Sequence, residues 1–179
     1  TKKIVNASYV WKFKQAYFNN RYSTWKINSN LGGGILFFYM SHTIFNLLII
    51  DSNFKLVKIN KIKKTSDMVT FLNLEMKSNK RKAEIEVDIN SNIRDHHIFL
   101  QNKKYNIGLK NNTKNWTKGF KFLINNKLIK QTNESRIDLS IKSIKELMNY
   151  KINSNKYYKF LNLINKTYNI LNKINNKVS

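Results

Sequence analysis

Two runs of alternating residues in the middle of the chain restrict the fold more than any other feature. From Lys82 to Asn90, apolar side chains occupy every second position, and acidic ones lie between them. A strand with this pattern buries one side and hydrates the other. Residues 68–76 alternate similarly, and Ser78–Arg81 separates the two runs. The pattern therefore predicts a β-hairpin over 68–90.

Further short strands are predicted between residues 97 and 131. Asn125–Asn126 stands where a two-residue hairpin turn would lie, and asparagine tolerates the positive φ that such a turn requires. The predicted strands are Ile98–Leu100, Tyr105–Leu109, Phe120–Ile124 and Leu128–Lys130.

Both ends of the chain show helical spacing. Apolar residues from Tyr9 to Tyr17 recur at intervals that predict a basic N-terminal helix. In the C-terminal part, 137–150 is one candidate helix and 157–171 is part of a longer, amphipathic one. Lysines 159, 166 and 173 fall on the side opposite its apolar stripe.

The apolar segment Gly32–Ile50 allows two interpretations. Its length is close to the ~20 residues that a membrane-spanning helix requires. Polar residues Ser41–Thr43 interrupt its middle, however, and three glycines begin it. We therefore expect two buried strands, Ile35–Met40 and Ile44–Ile50, ahead of a membrane span.

These elements predict an α+β fold. Its parts would be an N-terminal helix, antiparallel strands and hairpins in the middle, and basic C-terminal helices. The expected domains are a basic N-terminal extension at 1–31, an α+β core at 32–136 and a helical extension at 137–179.

Charge provides the main functional clue in the sequence. The chain has 33 Lys and Arg against 10 Asp and Glu, a net charge of +23. Residues 1–50, 96–133 and 147–179 contain no acid at all. Unneutralised lysines over such lengths favour binding to a polyanion, and a nucleic-acid backbone supplies dense fixed charge.

Catalytic and cofactor motifs are missing from the sequence. It has no cysteine and no G-x-G-x-x-G, and Gly32–Gly34 lacks the Lys-Ser/Thr of a phosphate-binding loop. His96 and His97 are adjacent, so on a strand they would point to opposite faces and could not easily chelate one ion. We therefore expect no enzymatic role, no metal and no cofactor.

The residues predicted to bind RNA share a position in the acid-poor or lysine-rich stretches. Trp116 is included because an exposed aromatic ring can stack on an unpaired base. The predicted set is Lys12, Lys14, Arg21, Lys26, Lys55, Lys58, Lys103, Lys104, Lys110, Lys114, Trp116, Lys118, Lys121, Lys127, Lys159, Lys166 and Lys173.

In composition the chain resembles an organelle-encoded ribosomal protein. The segment LQNKKYNIGL at 100–109, followed by INNKLI at 124–129, is similar to the RNA-binding domain of small-subunit ribosomal protein four. That resemblance extends to 141. Trp25, Tyr39 and Ile49–Asp51, together with 116–120, resemble small-subunit ribosomal protein two.

These resemblances imply a structural constituent of the mitochondrial ribosome, with the small subunit favoured. Its partners would be ribosomal RNA and neighbouring ribosomal proteins, without a small-molecule substrate. The expected location is the mitochondrial matrix. The alternative is a subunit of an organellar inner-membrane complex with one span at 32–50.

Overall fold

The computed structural model describes residues 6–15, 33–65, 68–111, 119–131 and 155–178. A π-helical segment, Ile35–Met40, continues directly into helix α1, Ser41–Ile50, and helix α2 spans Asn155–Val178. The strands are β1 (Asn6–Lys14), β2 (Lys55–Thr65), β3 (Met68–Lys77), β4 (Lys82–Asp88), β5 (Asn90–Gln101), β6 (Asn106–Asn111), β7 (Phe120–Ile124) and β8 (Lys127–Gln131).

The described strands form one eight-stranded sheet in the order β2-β3-β4-β1-β5-β6-β7-β8. The first strand of the chain lies inside this sheet, parallel to β4 and antiparallel to β5. All other described neighbours are antiparallel. Since β1 hydrogen-bonds on both sides, residues far apart in sequence meet at its two edges.

The hydrophobic core lies between one face of the sheet and the helices. Leu74 on β3, Ile85 on β4 and Tyr9 on β1 pair across the sheet and are almost completely buried. Ile44 of α1 and Ile174 of α2 are fully buried in the same cluster. One side of the predicted alternation thus faces the helices.

The predicted hairpins are confirmed. Strands β3 and β4 pair in antiparallel register, as do β7 and β8. Asn125 and Asn126 have φ values of 49° and 63°, the left-handed geometry that a two-residue turn needs. Gly34 has φ 75°, so a glycine begins the helical segment where a side chain would be strained.

The predicted N-terminal helix is wrong, because residues 6–14 form strand β1. Ala7, Tyr9, Trp11 and Phe13 occupy every second position and contact the core. Over so short a stretch the same aromatic residues satisfy a helical period and a strand period. The pairing of β1 with β4 and β5 decides in favour of the strand.

The two strands predicted at 35–50 are also wrong, because this segment is helical. A short apolar run that is buried gives no periodicity with which to separate strand from helix. Within the described residues, no helix has both the length and the apolar character required to cross a bilayer.

The α+β class is confirmed, since one mixed sheet packs against helices. In the C-terminal part the structure describes one helix, α2, and the candidate helix at 137–150 lies outside the described residues. The proposed division at 1–31, 32–136 and 137–179 stays a prediction.

Candidate active site

Aromatic rings and imidazoles collect where the π-helical segment crosses strands β1 and β5. Trp11 stacks on His96, with ring centroids 4.6 Å apart and planes 8° from parallel. The ring of Tyr39 meets Trp11 edge-on at 5.3 Å. Tyr9 Oη lies 3.1 Å from His96 Nε2, within hydrogen-bond distance. We call these four residues the aromatic cluster.

Strand register and helix geometry together assemble the cluster. Trp11 and His96 are paired residues of β1 and β5, so their side chains point to the same face of the sheet. Tyr39 comes from the π-helical segment, a widened helical form that often occurs at functional sites. Gln15, which is buried, donates from Nε2 to Tyr39 Oη at 2.9 Å and holds that ring in place.

His42 follows the π-helical segment and lies next to the cluster. Its ring is 6.2 Å from Trp11 and 5.7 Å from Phe38, which it meets edge-on. The first turn of α1 therefore places an imidazole between the aromatic cluster and the helix surface. The second imidazole, His96, lies on the far side of Trp11.

An open groove of about 390 Å³ runs between the first part of α1 and α2. Phe45 and Phe160 meet edge-on across it, with ring centroids 5.5 Å apart. The lining residues are Phe37, Ser41, His42, Phe45, Phe160, Ile164, Thr167, Tyr168 and Leu171.

The electrostatics of the groove favour a neutral imidazole. Desolvation by the surrounding side chains lowers the pKa of His42, although part of its ring is exposed. A neutral imidazole has one nitrogen that can accept a proton. Ser41 Oγ donates to Phe38 O at 2.9 Å, and Thr167 Oγ1 donates to Leu163 O at 2.8 Å. These two hydroxyl groups are thus already used as donors.

The two adjacent histidines lie on strand β5 and point to opposite faces of the sheet. His96 belongs to the aromatic cluster on the helix side, whereas His97 Nδ1 lies 3.0 Å from Asp95 Oδ1 on the other side. In the described part of the chain, no group of three His, Cys, Asp or Glu residues is arranged to hold a metal ion.

None of the predicted RNA-binding residues that the structure describes lines the groove. Three of them form ion pairs: Lys12 with Glu86, Lys58 with Glu75 at 3.7 Å and Lys110 with Asp95 at 3.6 Å. The others described are Lys14 on β1, Lys55 on β2, Lys103 and Lys104 before β6, Lys121 on β7, Lys127 on β8, and Lys159, Lys166 and Lys173 on α2. Arg21, Lys26, Lys114, Trp116 and Lys118 lie outside the described residues. An individual role for these side chains stays a prediction.

Sequence reasoning missed the groove. Its polar centre, His42, was treated only as an interruption of an apolar run, and Tyr168 only as part of an amphipathic stripe. A usable signal was present, since a histidine inside an apolar segment must either find a partner or line a cavity. What the sequence could not show was that α2 packs against α1 and creates the opposite wall.

In fold class, the described part of the chain is a mixed-sheet α+β domain. No protein-family model matches the sequence, and no curated protein matches it. Among solved structures, the chain is similar to KijD10, a 3-ketoreductase from Actinomadura kijaniata crystallised with TDP-benzene and NADP. The TM-score is 0.69 at 8% identity, covering 95% of this chain and 51% of that one.

Two further structures show the same similarity. One is a protein from Desulfitobacterium hafniense assigned as an NADPH-dependent oxidoreductase, with TM-score 0.67, 9% identity, and coverage of 98% and 56%. The other is the dehydrogenase MviM from Clostridium difficile, with TM-score 0.63, 16% identity, and coverage of 98% and 55%. The chain spans about half the length of these proteins, and at such low identity the likeness establishes the fold alone.

These comparisons overturn the ribosomal interpretation. The resemblances to small-subunit ribosomal proteins four and two were wrong, because nearly the whole chain matches oxidoreductase structures. The expected roles as ribosome constituent, rRNA binder and inner-membrane subunit are corrected on the same finding. So are the predictions of no enzymatic role and no small-molecule substrate, since this fold is one that enzymes with bound ligands use.

The described residues do not fit a dinucleotide site of their own. Such a site lies at the carboxyl ends of parallel strands, beside a G-x-G-x-x-G turn. The sequence has no G-x-G-x-x-G, and among the described strands β1 and β4 form the one parallel pair. We therefore derive no step through a nicotinamide and consider only what this chain's own side chains can do.

Proposed function

We propose that the chain is the substrate-side part of an oxidoreductase. The groove between α1 and α2 would hold the substrate, and His42 would transfer its proton. The observation that carries this proposal is the similarity of the whole fold to a 3-ketoreductase, combined with the position of the His42 imidazole in the lining of the groove.

The sheet topology supports assigning the chain to the substrate side rather than to the dinucleotide side. A parallel, doubly wound sheet with a glycine-rich turn is the usual dinucleotide-binding unit. The described sheet is almost entirely antiparallel and the sequence lacks that turn. The chain covers about half of its structural neighbours. A dinucleotide-binding unit would accordingly be a separate domain or subunit.

Interconversion of an alcohol and a carbonyl group requires one proton to move at oxygen. His42 in its neutral form would accept the proton from a substrate hydroxyl group, and in its charged form would return it to a carbonyl oxygen. The accompanying hydride would pass to or from a nicotinamide held by the separate dinucleotide-binding unit. The lowered pKa of His42 keeps its imidazole mostly in the neutral form, which accepts protons, at neutral pH. The rings of Trp11 and Phe38 lie 6.2 Å and 5.7 Å from the imidazole and restrict its rotation.

The experiment compares two histidine substitutions in the native protein, purified with everything that stays bound to it. Turnover of nicotinamide is followed with alcohols and ketones as substrates. We expect His42→Gln to lower kcat about 100-fold or more, the usual contribution of a general acid or base.

The matched control is His97→Gln, because His97 lies on the opposite face of the sheet beside Asp95. Its kcat should stay within about twofold of wild type. Equal activity in both variants would refute the role of His42. Absence of any nicotinamide-dependent turnover in the native protein would refute the proposed function as a whole.

A further inference from the structure

The walls of the groove define the chemistry of the ligand more narrowly than the fold does. Three phenylalanine rings, Phe37, Phe45 and Phe160, lie along it together with aliphatic side chains. Its volume of about 390 Å³ is within the range of small-molecule sites. The groove is therefore large enough for a ring-sized ligand in contact with aromatic side chains.

Polar groups in the groove are few. Ser41 and Thr167 donate their hydroxyl hydrogens to helix carbonyl oxygens, so neither can donate to a ligand without losing that bond. His42 and Tyr168 remain as the side chains able to donate to a ligand oxygen. Among the described lining residues there is no lysine, arginine or carboxylate.

The side of a polyhydroxylated or charged ligand that rests on these apolar walls would lose hydration without regaining hydrogen bonds. Each polar group buried without a partner costs about 1–3 kcal/mol. An apolar ring carrying one oxygen avoids that cost and can pack edge-on, as Phe45 and Phe160 already do with each other.

We propose that the groove binds an aromatic alcohol or ketone, with the ring packed against the exposed sides of Phe45 and Phe160 and the oxygen at His42. This inference deepens the proposed function and rests on it for the meaning of the bound oxygen. Binding itself needs no nicotinamide, so it can be measured separately.

The test titrates the full chain with acetophenone, with glucose as the polyhydroxylated comparison, by calorimetry and ligand-observed NMR. Acetophenone should bind saturably and glucose should not. Phe45→Leu and Phe160→Leu should each weaken acetophenone about 3- to 10-fold, because an edge-to-face aromatic contact is lost while an apolar side chain remains.

Tyr158→Leu is the matched control on α2, since Tyr158 is 56% exposed and does not line the groove. It should leave the affinity unchanged, and circular dichroism verifies that every variant is folded. The proposal is overturned if glucose binds as well as acetophenone or if neither binds. It is also overturned if all three leucine variants bind acetophenone alike. If another domain or segment covered the groove, neither acetophenone nor glucose would bind.

The outcomes separate this inference from the proposed function. Normal acetophenone binding combined with turnover that is insensitive to His42→Gln would refute proton transfer and leave the ligand class standing. Turnover that depends on His42, without any acetophenone binding, would refute the ligand class and leave proton transfer standing.

Discussion

Asp51 joins the end of α1 to the β3–β4 hairpin, and its removal is expected to loosen both. Its Oδ2 accepts a hydrogen bond from Ser78 Oγ at 2.9 Å and one from Arg81 Nη1 at 2.8 Å. Its Oδ1 accepts from the backbone N–H of Asn53 at 3.0 Å. The perturbation is Asp51→Asn, which keeps the shape and removes the charge.

The size of the effect follows from these contacts. The side chains of Asp51 and Arg81 are 13% and 27% exposed, so solvent screens the pair only in part. A hydrogen bond to a charged group contributes about 1.5–3 kcal/mol. Asparagine would keep some acceptor capacity toward Asn53 while losing the attraction to Arg81. We expect the free energy of unfolding to fall by about 2–3 kcal/mol at neutral pH.

The pH dependence gives a second, independent readout. Burial alone would raise the pKa of Asp51, but hydrogen bonds from Asn53, Ser78 and Arg81, and the charge of Arg81, lower it overall. A group with a lowered pKa stabilises the fold above its ordinary value, here 3.8, and loses this contribution as the pH falls through the folded-state pKa. In that window one proton changes stability by up to about 1.4 kcal/mol per pH unit.

The assay is urea unfolding followed by circular dichroism from neutral pH to about pH 3. Wild type should lose stability toward acid more steeply than Asp51→Asn, so the two curves should approach each other below about pH 3.8. Glu75→Gln is the control, since the Glu75–Lys58 pair is largely exposed and should change stability by less than about 1 kcal/mol. Parallel curves for wild type and Asp51→Asn would show that Asp51 is not held by Arg81 and Ser78.

Three further experiments test the fold, each by urea unfolding of substituted proteins. Ile174→Ala on α2 should cost about 2–5 kcal/mol, because Ile174 is fully buried against the sheet; a cost below 1 kcal/mol would contradict that packing. Gly108→Val should cost about 1–3 kcal/mol, since a Cβ at this position would overlap the ring of Phe99 on β5, and Phe99→Ala should relieve part of that cost. Asn126→Gly should keep or slightly raise stability whereas Asn126→Val lowers it by about 1–2 kcal/mol, because only glycine and asparagine tolerate its φ of 63°.

Local signals in the sequence predicted about half of the fold. Where hydrophobic alternation extended over a whole strand, as at 82–90, and where a turn dipeptide marked the reversal, as at Asn125–Asn126, the prediction was confirmed. The predictions for 35–50 and for strand β1 were wrong for different reasons. The segment 35–50 is an apolar run without a clear period, whereas the aromatic residues of β1 fit both a helical and a strand period over so short a stretch.

Local sequence patterns could not predict the candidate site, because its walls come from segments that are far apart in the sequence. His96 meets Trp11 only because β5 pairs with β1, and His42 faces Tyr168 only because α2 packs on α1. No short sequence motif predicts either of these contacts, because each depends on how the whole chain folds. A tertiary contact between residues more than 80 positions apart, such as Tyr9 with His96, needs the sheet order to be known first.

The excess of lysine misled the functional interpretation because net charge reports on association and solubility, and carries little information about fold. The structure provides a local reason for part of that excess. Lys55, Lys58 and Lys61 are exposed on β2, which is an edge strand of the described sheet, while Leu56 and Ile59 of the same strand pack on the core. Lysines on an edge strand oppose pairing with a second sheet, because the approaching charges repel and their hydration must be lost. A strand of eleven residues without such side chains would be an open template for aggregation. The lysines of β2 therefore have a structural explanation that requires no polyanion.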